Sequence, residues 1–195
     1  YLTHLSGVAT AAARLVEAIV GTGCRLRDTR KTTPGLRTLE KYAVRIGGGE
    51  NHRFTLADAV LIKDNHLRHV GSIAEAVRRA RAKVPAGIKV EVEGTSLDEA
   101  RQALAAGADI VMLDNFTPMQ AKKAVQMLEK KQLRAKVLIE ASGGITERNI
   151  LRYAAAGVDI VSLNEQYGDK ISWNGNIDVS VLLWQGTPEE VRRQC

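Results

Sequence analysis

Aromatic side chains are scarce in this sequence, 4% of residues with two tryptophans and two phenylalanines. That scarcity removes the stacking platforms on which single-stranded nucleic acids are bound. Cysteine is almost absent: Cys24 and Cys195 lie far apart, one of them at the last position. Neither a disulfide framework nor a metal-ligand cluster follows from two such residues, and a reducing cytoplasm is the expected compartment. No apolar run approaches the ~20 residues that span a bilayer, so no membrane partner is expected. The opening stretch YLTHLSGVATAAARLVEAIVGTG has apolar residues at helical spacing but no basic start, and it takes in Arg14 and Glu17. It reads as a helix, not a signal peptide. Also missing is any GxGxxG turn after an early strand, which a doubly wound dinucleotide-binding sheet would need.

What is present is basic: 28 Lys and Arg against 22 Asp and Glu, a net charge of +6 over 195 residues. Such a charge would suit nucleic acid, an acidic small molecule, or nothing specific. Much of it falls in helical patterns such as VRRARAK and KKAVQMLEKK, where a solvated face is the simpler reading. A nucleic-acid partner would rest on net charge alone and is not expected. The length fits one domain, residues 1–195, with one buried core.

From residue 24 onward, short β-branched runs alternate with amphipathic segments. The strand candidates are 24–30, 59–65, 88–93, 109–115, 136–142 and 159–164, and the helical patterns between them include SIAEAVRRARAK, SLDEARQALAAG and TERNILRYAAAG. Glycines in PAG, AAGAD and AAGVD stand where helices must stop, and Ser96 and Thr146 are placed to cap helix starts. Strand then helix, repeated with short turns, implies right-handed crossovers and a parallel sheet. Nearly every strand candidate ends in polar residues, and polar groups at the carboxyl ends of successive strands are what a barrel active site requires. The expected fold is therefore α/β, a parallel (β/α) TIM-like barrel of seven or eight strands. A late strand near 171–183 is expected beside the one ending at Asn164, since six strands would leave open edges.

Four motifs carry chemistry. DTRKTTPG at 28–35 ends a strand in Asp28, Arg30 and Lys31, a guanidinium fork and a point charge suited to carboxylates or phosphates. In GGGENHRFTLADAVLIKDNH at 47–66, three glycines would let backbone amides approach a ligand. His52 and Arg53 follow them, and Lys63 closes an apolar strand, an expensive place for an unpaired ammonium. His52 and His66 lack a third ligand at a recognisable spacing, so no metal site is expected from them. Glu93 and Asp114 end adjacent strand candidates. They could form ion pairs with Lys31 and Lys63, stabilise a cationic sugar transition state, or hold Mg²⁺ through water. EASGGI places Ser142, Gly143 and Gly144 before a helix, where backbone amides could cradle a phosphate.

Taken in order, DTRKTTPGLR, KYAVRIGGGENHR, LIKDNH, VEVE, IVMLDNF and EASGGI resemble quinolinate phosphoribosyltransferase, the carboxylating nicotinate-nucleotide pyrophosphorylases, over residues 1–163. The resemblance implies an enzyme of NAD biosynthesis. It transfers a phosphoribosyl group from phosphoribosyl pyrophosphate to quinolinate, with loss of CO₂, to give nicotinate mononucleotide. On matching positions, Arg30, His52, Arg53 and Lys63 would hold the quinolinate carboxylates. Lys31, Lys63, Glu93 and Asp114 would be the catalytic groups, with Lys31, Glu93 and Asp114 around phosphoribosyl pyrophosphate and its Mg²⁺. Ser142, Gly143 and Gly144 would take the 5′-phosphate.

Two departures from the family pattern shape the expectations. In the family a separate N-terminal domain precedes the barrel and lends a substrate-binding arginine to the partner subunit, whereas this chain begins at the helix after it. Asn164 stands where the family has glycine. Slow turnover and a monomer are expected on these grounds, or a barrel scaffold with no productive activity. The tail, 164–195, is similar instead to the uroporphyrinogen decarboxylase superfamily in its GN-D and GTPEEV pattern, from which an engineered chimera of two barrels is expected.

Overall fold

The computed structural model describes residues 1–130 and 136–163. The order of elements is α1 (Leu2–Ala18), β1 (Arg25–Arg27), α2 (Arg37–Ile46), β2 (Val60–Ile62), α3 (Asp64–Val70), α4 (Ile73–Lys83), β3 (Val90–Gly94), α5 (Leu97–Ala105), β4 (Ile110–Asp114), α6 (Pro118–Lys130), β5 (Leu138–Ser142), α7 (Ile150–Ala154) and β6 (Ile160–Ser162). Each of the six strand candidates between residues 24 and 164 is present, shortened at its ends. The strands form one parallel sheet in the order β1-β6-β5-β4-β3-β2. No described helix is long and apolar enough to cross a membrane.

Alternation along the strands separates two environments. Val90 and Val92 of β3, Val111 and Leu113 of β4, Ile139 and Ala141 of β5 and Val161 of β6 join the main apolar core with the helices. The intervening residues, Glu91, Glu93, Met112, Asp114, Glu140, Ser142 and Ser162, share the other face. That face curls inward. Glu50 bridges Arg27 at the β1 edge of the sheet, yet two residues later His52 Nε2 lies 2.9 Å from Glu91 on β3, next to the opposite edge. The two edges can meet through so short a segment only if the sheet wraps round as a barrel wall does. Among the described residues β1 and β2 do not pair, so the hydrogen-bonded ring is not complete.

Local chemistry sets the joints. Ser72 and Ser96 accept the backbone N–H of Glu75 and Glu99 at 3.2 Å, capping α4 and α5. Gly107 and Gly157 leave their helices with φ of 82° and 89°, a conformation in which a β-carbon is strained. The aspartate two residues after each glycine then fastens the neighbouring strand. Asp109 accepts from Val90 N, and Asp159 from Ile139 N, both at 2.7 Å.

Several expectations are corrected. The strand AVLI runs directly into a helix, α3, where the sequence reads as the strand's polar end. Lys63 N donates to His66 Nδ1 at 2.9 Å and so caps α3, which gives His66 a structural role. Thr146 caps the turn that leads into α7 rather than the helix itself: its Oγ1 accepts from Arg148 N at 3.1 Å and its carbonyl oxygen from Ile150 N at 2.9 Å, while α7 starts at Ile150 behind Asn149. Packing and backbone geometry account for the three glycines at 47–49: a β-carbon on Gly47 would collide with the Ala9 carbonyl oxygen and Ala12 of α1, one on Gly49 with Val44, and Gly48 turns the chain at φ 88°. The late strand expected at 171–183 lies outside the described residues. β6 has both edges hydrogen-bonded, one to β5 and one to β1, which leaves no edge beside it for another strand.

Candidate active site

The carboxyl ends of the strands open onto a cavity of about 310 Å³. Its wall brings together Arg30 and Lys31 from the turn after β1, His52 and Arg53 from the segment after the Glu50 bridge, and Lys63 from the end of β2. Glu93, Asp114 and Ser142 come from the ends of β3, β4 and β5. Eight of the residues singled out from the sequence therefore share one space. Gly143 and Gly144 do not line it. They form the turn beyond β5 with φ of 86° and 61°. A β-carbon on Gly143 would strike the side chain of Asn115, itself at φ 56°. The helix after this turn has five residues and starts only at Ile150, so its N-terminus does not stand directly behind these two glycines.

Charge is distributed unevenly around the wall. Lys63 Nζ meets Glu93 at 2.7 Å, the ion pair that the strand-end positions allow. Arg53 donates to the Ala59 carbonyl oxygen at 3.1 Å, while Nε of both Arg30 and Arg53 is buried without a partner among the described residues. Burial and the nearby Arg30 charge both push the Arg53 pKa down, although a guanidinium remains protonated. Asp114 accepts from Asn115 Nδ2 at 2.9 Å.

His52 is held from several sides. Its backbone N–H donates to Asp28 at 2.8 Å, and its carbonyl oxygen accepts from Lys41 Nζ at 2.9 Å. Lys41 also pairs with Asp28, and Asn51 Nδ2 donates to the other Asp28 oxygen at 2.6 Å. Lys41 is fully buried, and burial lowers its pKa against the opposing pull of Asp28.

Beneath the mouth lies a polar layer to which the sequence motifs assign no role. Glu91 and Glu140 are 1% and 0% exposed. Glu140 accepts from Arg27 at 3.2 Å and is hydrogen-bonded to Ser162. Burial first, and the Glu91 charge second, push the Glu140 carboxyl up to about 7. Glu91 Oε1 is buried with no partner among the described residues. His52, Glu91 and Glu140 offer ligand atoms within 4.8 Å of one another, the one such group among the described residues, although Arg27 already neutralises Glu140. The signal for these residues is spacing: Glu91 is two before Glu93 and Glu140 two before Ser142, hence on the same strand face. Lys41 gives no such signal beyond lying on the apolar side of α2 with Ala43 and Val44.

Residues 8–168 match the family described as quinolinate phosphoribosyl transferase, C-terminal domain. The chain is 50% identical over 164 residues to the probable nicotinate-nucleotide pyrophosphorylase (carboxylating) of Methanothermobacter thermautotrophicus, covering 83% of this chain and 59% of that protein. It is 47% identical over 161 residues to the nicotinate-nucleotide pyrophosphorylase (carboxylating) of Mycobacterium leprae, covering 82% of this chain and 55% of that one. The structure of the nicotinate-nucleotide pyrophosphorylase from Francisella tularensis superposes with a TM-score of 0.76 at 49% identity, covering 82% of this chain and 55% of that one. The chain thus spans less than two thirds of the length of each of these relatives. With a match running through the strands, the cation-bearing turns and the cavity wall, the chain belongs to the quinolinate phosphoribosyl transferase C-terminal domain family.

Proposed function

We propose that this chain carries the active-site barrel of a carboxylating nicotinate-nucleotide pyrophosphorylase acting in the cytoplasm. The reaction joins quinolinate to the phosphoribosyl group of phosphoribosyl pyrophosphate, releasing pyrophosphate and CO₂ and leaving nicotinate mononucleotide. The observation that carries this reading is the convergence of Arg30, Lys31, His52, Arg53 and Lys63 on one cavity, faced by Glu93 and Asp114. A small dicarboxylate matches two guanidiniums whose buried Nε groups lack partners among the described residues, since an unpaired buried donor is costly until a ligand satisfies it.

In this reading Arg30, His52, Arg53 and Lys63 bind and orient quinolinate. Lys31 takes the pyrophosphate, and Glu93 and Asp114 face the ribosyl carbon as positive charge develops on it. Glu93 and Asp114 are oxygen donors in one cavity, a chemistry that fits Mg²⁺ held with the substrate's phosphates. When bound, the ion would neutralise the leaving pyrophosphate. Ser142 on the wall, with Gly143 and Gly144 in the turn behind it, is assigned the 5′-phosphate. The activity is assigned to residues 28–144. The resemblance of 164–195 to the uroporphyrinogen decarboxylase superfamily, and an engineered origin, find no support in the comparisons. Incubation with quinolinate, phosphoribosyl pyrophosphate and Mg²⁺, followed by mass detection of nicotinate mononucleotide, tests the assignment. Absence of product together with absence of quinolinate binding would refute it.

A further inference from the structure

Apart from Lys63, the basic residues of the mouth sit on two irregular segments, residues 28–35 and 50–55, and both are tied to a single side of α2. Arg37, Glu40 and Lys41 stand at i, i+3 and i+4, so their side chains leave the helix on one face. Arg37 spans both segments: its Nη2 donates to the Arg30 carbonyl oxygen at 3.3 Å and its Nη1 to that of Phe54 at 3.3 Å. Its Nε donates to Thr32 Oγ1 at 3.2 Å. Glu40 holds the first segment, accepting from Thr33 N at 3.0 Å and Thr33 Oγ1 at 2.5 Å, with His4 of α1 at 2.8 Å on its other side. Lys41 holds both, through Asp28 and the His52 carbonyl oxygen. None of the three lines the cavity.

We propose that this face of α2 is a brace that sets the spacing between the Arg30–Lys31 segment and the His52–Arg53 segment, which makes Arg37, Glu40 and Lys41 positioning residues for a dicarboxylate bound between them. The inference rests on the dicarboxylate reading of the cavity. A rigid dianion gripped from two segments is bound well only at one separation of those segments; Asp28 N joins their inner ends by donating to the Glu50 carbonyl oxygen at 3.1 Å, but past Asp28 and His52 neither has regular secondary structure of its own to fix it. The planar fork of arginine suits the bridging position, because it carries several donors in fixed directions. A lysine there could not reproduce that geometry.

Two measurements test the brace. Hydrogen exchange of the ligand-free chain is followed over 29–34 and 50–55 in the wild type and in Arg37→Ala, and quinolinate affinity is measured by calorimetry in both. Arg37 is only partly buried, so the variant is expected to fold. The brace requires faster exchange in both segments with α4 to α6 unchanged, and quinolinate binding weakened by between about tenfold and 10²-fold, the scale of a 1 Å misplacement. Glu40→Ala should weaken binding in the same way, and Glu40→Gln, which keeps an acceptor for Thr33, should restore it. Exchange that stays unchanged, or rises in only one segment, overturns the brace, as does faster exchange with undiminished affinity. A wild type that fails to bind quinolinate overturns the dicarboxylate reading, while the exchange data still decide whether α2 holds the two segments together.

Discussion

Replacing Lys41 by methionine isolates the energy of the buried knot behind His52. The substitution keeps the length and most of the volume of the side chain, so little cavity is created. Nζ also lies over the Phe54 ring, 5.0 Å from its centre, and methionine replaces that cation–π contact with an apolar one. What disappears is the positive charge opposite Asp28 and the donor to the His52 carbonyl oxygen. Removing one partner of a buried pair typically costs about 3–5 kcal/mol, because the other charge is stranded. Here Asp28 keeps two donors, Asn51 Nδ2 at 2.6 Å and His52 N at 2.8 Å. Relief of the burial penalty on Lys41 works in the same direction, so the loss falls at the lower end, about 3 kcal/mol. Against a total stability of about 5–15 kcal/mol that is a large share. With a urea slope of about 1–3 kcal/mol/M, the unfolding midpoint should fall by about 1–3 M, read by circular dichroism. The double variant Asp28→Asn with Lys41→Met removes the stranded charge and should recover more than half of the loss. A single variant within about 1 kcal/mol of wild type, or a double variant no more stable than the single, would refute the reasoning.

Three further outcomes follow from the same contacts. Glu140, with its carboxyl raised to about 7 from an ordinary 4.5, binds its proton more tightly folded than unfolded. Its ionisation therefore removes stability as pH rises through that window. Glu140→Gln should gain stability relative to wild type at pH 8 and lose that gain at pH 4, and paired urea titrations giving the opposite trend would contradict the burial argument. Gly47→Ala should destabilise the fold by about 1–3 kcal/mol through α1 packing and leave quinolinate affinity unchanged, whereas Gly143→Ala should damage both stability and affinity. Cys24, whose thiol burial pushes up to about 11, should resist alkylation at pH 8 until the chain is unfolded, as peptide mass mapping would show.

The strands were legible as short β-branched or apolar runs bounded by turn residues: VEVE spells out one apolar and one polar face residue by residue, whereas IVMLD is an apolar run that turns polar only at Asp114. The cations of the mouth were legible because they sit at strand ends, where barrel geometry leaves little choice of direction. α3 was hidden because its cap is made by the Lys63 backbone and the His66 ring, a pairing outside the usual capping residues. The glycines at 47–49 are ambiguous in the sequence because glycine permits close approach by a helix as readily as by a ligand. Lys41 was illegible because its partners, Asp28 and His52, are remote in the chain. Only the folded arrangement turns a lysine on the apolar side of a helix into the centre of an ionic knot.

The alternation in β3 also bears on how the chain avoids wrong structures. Glu91 and Glu93 face the barrel interior, and Val90 and Val92 face the helices. A slip of one residue against β4 would exchange the two sets at once, driving two carboxylates into the apolar layer and stripping His52 and Lys63 of their partners. Neighbouring registers that would differ little in backbone hydrogen bonding are thereby separated by several burial penalties. The carboxylates beside the cavity thus specify one alignment of the sheet, by making every neighbouring one costly.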